Sequence, residues 1–101
     1  MTDTLTILTA ARNMITDPAM WYKGDWTASG EWDDGGPCCA LCAIKRAASA
    51  VGVQPFVAVR YIGEFTPDQK GVSWFNDRPS TKHSDVLAVF GRAIAALEVG
   101  A

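Results

Sequence analysis

The chain has no basic block, a single histidine, and no apolar run approaching the roughly 20 residues that span a bilayer. Each scarcity excludes something. Nine Lys and Arg are scattered among eleven Asp and Glu, for a net charge of −2. A nucleic-acid partner held by phosphate neutralisation would need a basic patch, so none is expected. No membrane partner is expected either, and the N-terminus lacks a charged-then-apolar leader, so the chain reads as cytoplasmic. The three cysteines, Cys38, Cys39 and Cys42, are odd in number and crowded together, a poor disulfide framework that fits a reducing compartment.

What is present is an ordinary globular composition. In 101 residues, 49% are hydrophobic and 20% charged, which suits one globular domain over residues 1–101. Four tryptophans are many for this length. Trp21, Trp26 and Trp32 fall in "AMWYKGDWTASGEWDDGGP", a stretch rich in Gly and Asp without periodicity.

The expected architecture is mainly α, with three or four helices, an ordered Trp/Gly-rich loop, and room for one short hairpin turning at Ser29-Gly30. Leu5, Leu8, Ala11 and Ile15 share one helical face, predicting a helix over about residues 3–16. Pro37 suits the first turn of a second helix, with Leu41, Ile44, Ala48 and Val51 as its stripe and Gly52 as its stop. Residues 54–65 fit a strand through Val57, Val59 and Tyr61, or a helix through Phe56, Val57, Tyr61 and Phe65. "VSWF" reads as a short extended piece before an Asn76-Asp77 turn. A last helix carries Val86, Leu87, Phe90, Ile94 and Leu97, with Thr81 as its expected cap.

Chemistry-bearing residues are few, and each has a bland reading. Cys39-Ala40-Leu41-Cys42 has C-x-x-C spacing at a helix start, but "EWDDGGP" cannot supply the preceding strand of a redox motif. Zinc would need spaced ligand pairs, whereas Cys38 and Cys39 on one helix would point roughly 100° apart at ~3.6 residues per turn. No metal and no cofactor are expected. Cys39 as nucleophile, His83 as base and Asn76 or Asp77 as orienter would make a cysteine-dependent hydrolase or transferase. Against this, Cys39 falls on the face of Ala43, Ala47 and Ala50, where a small packing residue serves equally well. His83 shares the last helix's apolar stripe and would pack while making one hydrogen bond. Asn76 and Asp77 can close a turn through their own backbone.

The alternative is a small accessory protein without enzymatic activity that works by binding another protein. Its contact residues would be Trp21, Gly24, Trp26, Trp74, Asn76 and Asp77, since aromatics beside a carboxamide and a carboxylate make good contact sites. This reading, which leaves self-association open, is preferred because no catalytic signature is complete.

Several short motifs bear on this choice. Pro18, Trp21 and Gly24 fit P-x-x-W-x-x-G, and Cys39, Ala40, Leu41 and Ala43 fit C-A-L-G-A. Asn76, Asp77 and Pro79 fit W-N-D-x-P, and Val86, Leu87, Ala93 and Ile94 fit V-L-x-x-x-x-x-A-I. In these the chain resembles a small family of bacterial and phage proteins classed as a domain of unknown function. It departs at Cys42, where the family pattern has glycine, and at Phe75, which separates Trp74 from Asn76. The resemblance implies a mainly helical fold, favours helix for residues 54–65, and implies a phage-derived origin. It also implies that Cys39 and Asn76-Asp77 meet in space.

Overall fold

The computed structural model describes residues 2–23 and 37–100. These form five α-helices: α1 Thr2–Met14, α2 Ala40–Ala50, α3 Phe56–Gly63, α4 Val72–Asp77 and α5 His83–Gly100. Single 3-10 turns sit at Pro18–Met20 and Pro67–Gln69. The fold is mainly helical, and among the described residues there is no strand beyond one isolated bridge. The proposed hairpin at Ser29-Gly30 lies outside the described residues, as do Gly24, Trp26 and Trp32. No described helix is long and apolar enough to cross a membrane.

α1 lies against α2, α3 and α5, and the core gathers on that junction. Thr4, Ile7, Leu8 and Ala11 are its buried residues, continued by Ile15 just past its end, a helical stripe shifted slightly from the expected one because Leu5 is only half-buried. Across from it α2 buries Ala40, Cys42, Ala43, Ile44, Ala47 and Ala48. Four of these six are alanines, which lets the helix sink into the core on a broad face. Val51, expected on that stripe, is exposed, and so is Ala50.

Pro37 does not open α2. Cys38 bridges to Trp21 instead: its N–H donates to the Met20 carbonyl, and the Tyr22 N–H donates to the Cys38 carbonyl, both at 3.0 Å. That bridge keeps the backbone extended through Cys39, which is the N-cap rather than a first-turn residue. The stop is as expected. Gly52 adopts φ +75°, the Gly52 N–H reaches the Ser49 carbonyl, and the Val53 N–H reaches the Ala48 carbonyl. This Schellman arrangement needs a left-handed residue at Gly52. A Cβ there would meet nothing within 4 Å, so Gly52→Ala isolates the backbone cost. Thermal unfolding should show a loss of about 1 kcal/mol, with less for Gly52→Asn.

Residues 56–63 are helix, not strand, with Ala58, Ile62 and Gly63 buried. The face differs from the expected one, since Phe56 and Val57 point outward. At its end the Thr66 hydroxyl donates to the Gly63 carbonyl at 2.6 Å and accepts from the Gly71 N–H at 3.0 Å, closing the following turn.

"VSWF" is helical as well, and this adds a helix beyond the expected three or four. Gly71, at φ 109°, turns the chain so that its carbonyl accepts from the Phe75 N–H. Val72, Phe75 and Asn76 then share one buried face at i, i+3 and i+4. Asn76 and Asp77 therefore end a helix instead of making a turn. Thr81 does not cap α5: its hydroxyl accepts from Arg78 Nε at 3.3 Å. The Lys82 carbonyl takes the first helical bond, from Val86, and the Asp85 carboxylate accepts the Lys82 N–H at 2.9 Å. That is the acidic half of a capping box.

Candidate functional site

Helix α4 delivers one polar side chain to the core. Asn76 is 0% exposed. A carboxamide offers two acceptor positions and two donors, and all four are in use. Asn76 Oδ1 accepts from the Trp21 indole N–H at 2.6 Å and from the Ala40 N–H at 3.1 Å. Its Nδ2 donates to the Tyr22 carbonyl at 3.2 Å and to Asp77 Oδ1 at 3.0 Å. The Ala40 N–H is one of the orphan donors in the first turn of α2. One side chain thus caps α2 from a distance and anchors the 20–23 segment onto α4.

Trp21 is held on further sides. Its ring lies 5.6 Å from that of His83, and Lys23 Nζ stands 5.8 Å from its centroid. His83 Nε2 bonds the Ile15 carbonyl at 2.6 Å, tying the start of α5 to the end of α1. Lys23, which the sequence showed only as one scattered cation, donates to the carbonyls of Arg78, Pro79 and Thr81 at 2.9, 3.2 and 2.5 Å. Nothing in the local sequence signals that contact, because the acceptors are main-chain atoms more than fifty residues away.

Cys39 joins this cluster from α2. Its Sγ accepts from the Cys42 N–H at 3.4 Å, and the side chain is 4% exposed. A helix N-terminus favours a thiolate through its dipole. Burial wins instead and pushes the thiol above its ordinary value of 9.0. The amide bonds from Cys42 and Leu41 oppose that, while the neighbouring Cys42 thiol and the Asp77 carboxylate push it further up. Native-state alkylation of Cys39 should therefore be slow at neutral pH and quicken only in alkali, as peptide mapping by mass spectrometry would show. The linkage has a definite sign. The unfolded thiol ionises first, so this contribution to stability is intact below the unfolded pKa and is lost as pH rises toward the folded one.

Trp21, Asn76, Asp77 and Cys39 thus come together around the N-terminus of α2, and His83 meets this group at the Trp21 ring. Trp74 does not join them. It is 39% exposed on the opposite side of α4, with the Arg78 guanidinium 5.3 Å and the Lys70 ammonium 5.8 Å from its ring. Among the described residues no three His, Cys, Asp or Glu side chains are grouped as a metal ion would require.

A second feature was missed in the sequence. Phe56 is 71% and Val57 59% exposed at the start of α3. Beside them lies an open groove of about 500 Å³ lined by Thr4, Ile7, Val53, Gln54 and Val57 among others. The only signal was helix phase: once 56–63 is helical, burial of Ala58 and Ile62 turns Phe56 and Val57 outward.

No curated protein and no solved structure matches the chain. Residues 1–96 match a family of unknown function, DUF6197. The chain belongs to that family.

Proposed function

We propose that this protein is a non-enzymatic accessory module, of phage descent and acting in the cytoplasm, that works by binding another protein. The observation that carries the reading is the adjacent, outward-facing Phe56 and Val57 beside an open groove. Exposed apolar pairs of this kind mark contact surfaces more often than they mark reaction sites. Trp74 between Arg78 and Lys70 supplies a second anchor of the residue types that dominate interface energies. Trp21, Asn76 and Asp77 serve the same function from behind, by holding α4, the helix that presents Trp74.

The interior chemistry supports this division. The Asn76 carboxamide spends every donor and acceptor on the protein itself, the Cys39 thiol is buried and held protonated, and His83 Nε2 is bonded to main chain.

Immobilised wild-type protein and two variants, Phe56→Glu/Val57→Glu and Trp74→Ala, test the proposal against extract of the native host. Both variants alter exposed side chains, so their unfolding curves should match the wild type within about 0.5 kcal/mol. A partner captured by the wild type should be lost from the double variant and weakened by Trp74→Ala. Capture that is indifferent to all three substitutions, or no partner at all, would overturn it.

A further inference from the structure

Cys39 and Cys42 stand at either end of the first turn of α2, an eleven-residue helix. The bridged residue Cys38 supplies an extended lead-in that "EWDDGGP" does not signal. Cys39 continues it with φ −75° and ψ 172°. An N-cap cysteine followed three residues later by another places both side chains on one edge of the helix start, since residues three apart are neighbours on a helix. Cys39 Sγ already lies 3.4 Å from the Cys42 backbone nitrogen. Cβ atoms three apart on a helix stand about 5–6 Å apart and those of a disulfide roughly 3.5–4.5 Å, so closing the pair needs a small backbone shift at the non-helical Cys39 cap, without unwinding the helix.

We propose that Cys39 and Cys42 form a reversible dithiol–disulfide pair, oxidised by a small-molecule disulfide of the glutathione class. The Cys39 thiol loses its proton to solvent, and its thiolate attacks one sulfur of the glutathione disulfide, forming a mixed disulfide and releasing a glutathione thiolate. The Cys42 thiolate then attacks Cys39 Sγ and expels the second glutathione thiolate. Two protein thiols have lost two electrons, one glutathione disulfide has gained them, and the two released protons balance the two glutathione thiols formed.

Cys38 is the wrong partner for either residue. Adjacent Cα atoms stand about 3.8 Å apart across a trans peptide, short of the roughly 4.4–6.8 Å of ordinary disulfides. Side chains at successive positions of an extended segment also point to opposite sides. Cys39 is the natural point of attack because it is 4% exposed, against 1% for Cys38 and 0% for Cys42. Exchange is slow at neutral pH for the reasons that keep Cys39 protonated: burial, the Cys42 thiol on its own helix, and Asp77 at the end of α4. Oxidation would fix the turn containing Ala40, whose N–H reaches Asn76, so the thiol state bears on how firmly the interior network is held.

The test equilibrates the folded full-length chain with mixtures of reduced and oxidised glutathione at mildly alkaline pH, followed by acid quench, alkylation and fragment mass spectrometry. The expected product is two hydrogens lighter than the reduced chain, alkylated only at Cys38, and returned to three thiols by excess reduced glutathione. Cys38→Ser should behave identically, and Cys42→Ser should halt at the mixed disulfide on Cys39. Should Cys42→Ser fail to fold, Cys42→Ala serves the same purpose. Three alkylatable thiols after equilibration, a disulfide that includes Cys38, or a Cys42 variant that oxidises like the wild type would overturn the proposal. Failure here would leave the protein-binding reading untouched, since neither Phe56 nor Trp74 takes part.

Discussion

Asn76→Ala should unfold with about 3–5 kcal/mol less stability than the wild type, the most damaging single polar change among the described residues. Truncation strands the Trp21 indole N–H, the Ala40 N–H and the Tyr22 carbonyl. A buried polar group left without its partner costs about 1–3 kcal/mol, and relaxation keeps the total toward the lower end of the sum. A domain of this size holds only about 5–15 kcal/mol in all. At about 4–8 °C per kcal/mol, the thermal midpoint should fall by well over ten degrees. Asn76→Asp is the informative control. It preserves the acceptor toward Trp21 and Ala40 but replaces the donor, so a carboxylate oxygen faces the Tyr22 carbonyl and Asp77. That variant should be as unstable as Asn76→Ala at neutral pH and should recover part of the loss in acid, when the new carboxyl is protonated and can donate. A midpoint within a few degrees of wild type for either variant would show that the carboxamide is not the staple described here.

The second large effect belongs to Phe90, which is 0% exposed and, among the described residues, the largest of the fully buried side chains. Phe90→Ala should cost about 3–5 kcal/mol, combining lost transfer energy with the cavity left between α5 and its neighbours. Phe90→Leu should recover most of this, with a residual cost below about 1.5 kcal/mol. The contrast with Asn76 is diagnostic. A hydrophobic void can be partly refilled by another hydrophobic residue, whereas Leu at position 76 would strand the same three polar groups as Ala. Urea unfolding of the four variants should separate the two behaviours, with Phe90→Leu near the wild type and Asn76→Leu near Asn76→Ala.

The long helices were legible because each carries four or more apolar residues at helical spacing over three turns or more. α1, α2 and α5 fall where that spacing put them, within a few residues. α4 was hidden by its brevity and by its own interior residue. Its buried face is Val72, Phe75 and Asn76, and a polar third member breaks the periodicity that would have revealed a six-residue helix. Pro37 misled for a different reason. Proline favours a first helical turn, but the parallel bridge to Trp21 claims the backbone of Cys38 and delays the helix to Ala40.

The site divides in the same way. That Cys39 and Asn76-Asp77 meet followed from the motif resemblance, and they do come together at the start of α2. What no local signal could show is the nature of the contact. Asn76 bonds the backbone of Ala40, thirty-six positions away, and every residue except proline presents the same N–H. Cys39 is the small packing residue that the sequence offered beside the nucleophile reading, but the sequence shows where a helix dipole acts and not how deeply the thiol is buried. Here burial is the larger influence.

The most direct test of the central claim, that Asn76 fastens the 20–23 segment to α4 and α2, is a double-mutant cycle between Trp21→Phe and Asn76→Ala by equilibrium urea unfolding. The 2.6 Å bond from the indole N–H to Asn76 Oδ1 predicts a coupling energy of about 1–2 kcal/mol. The double variant should therefore be more stable than the two single losses added together imply. Losses that add within about 0.3 kcal/mol would contradict the account, because the two side chains would then act independently.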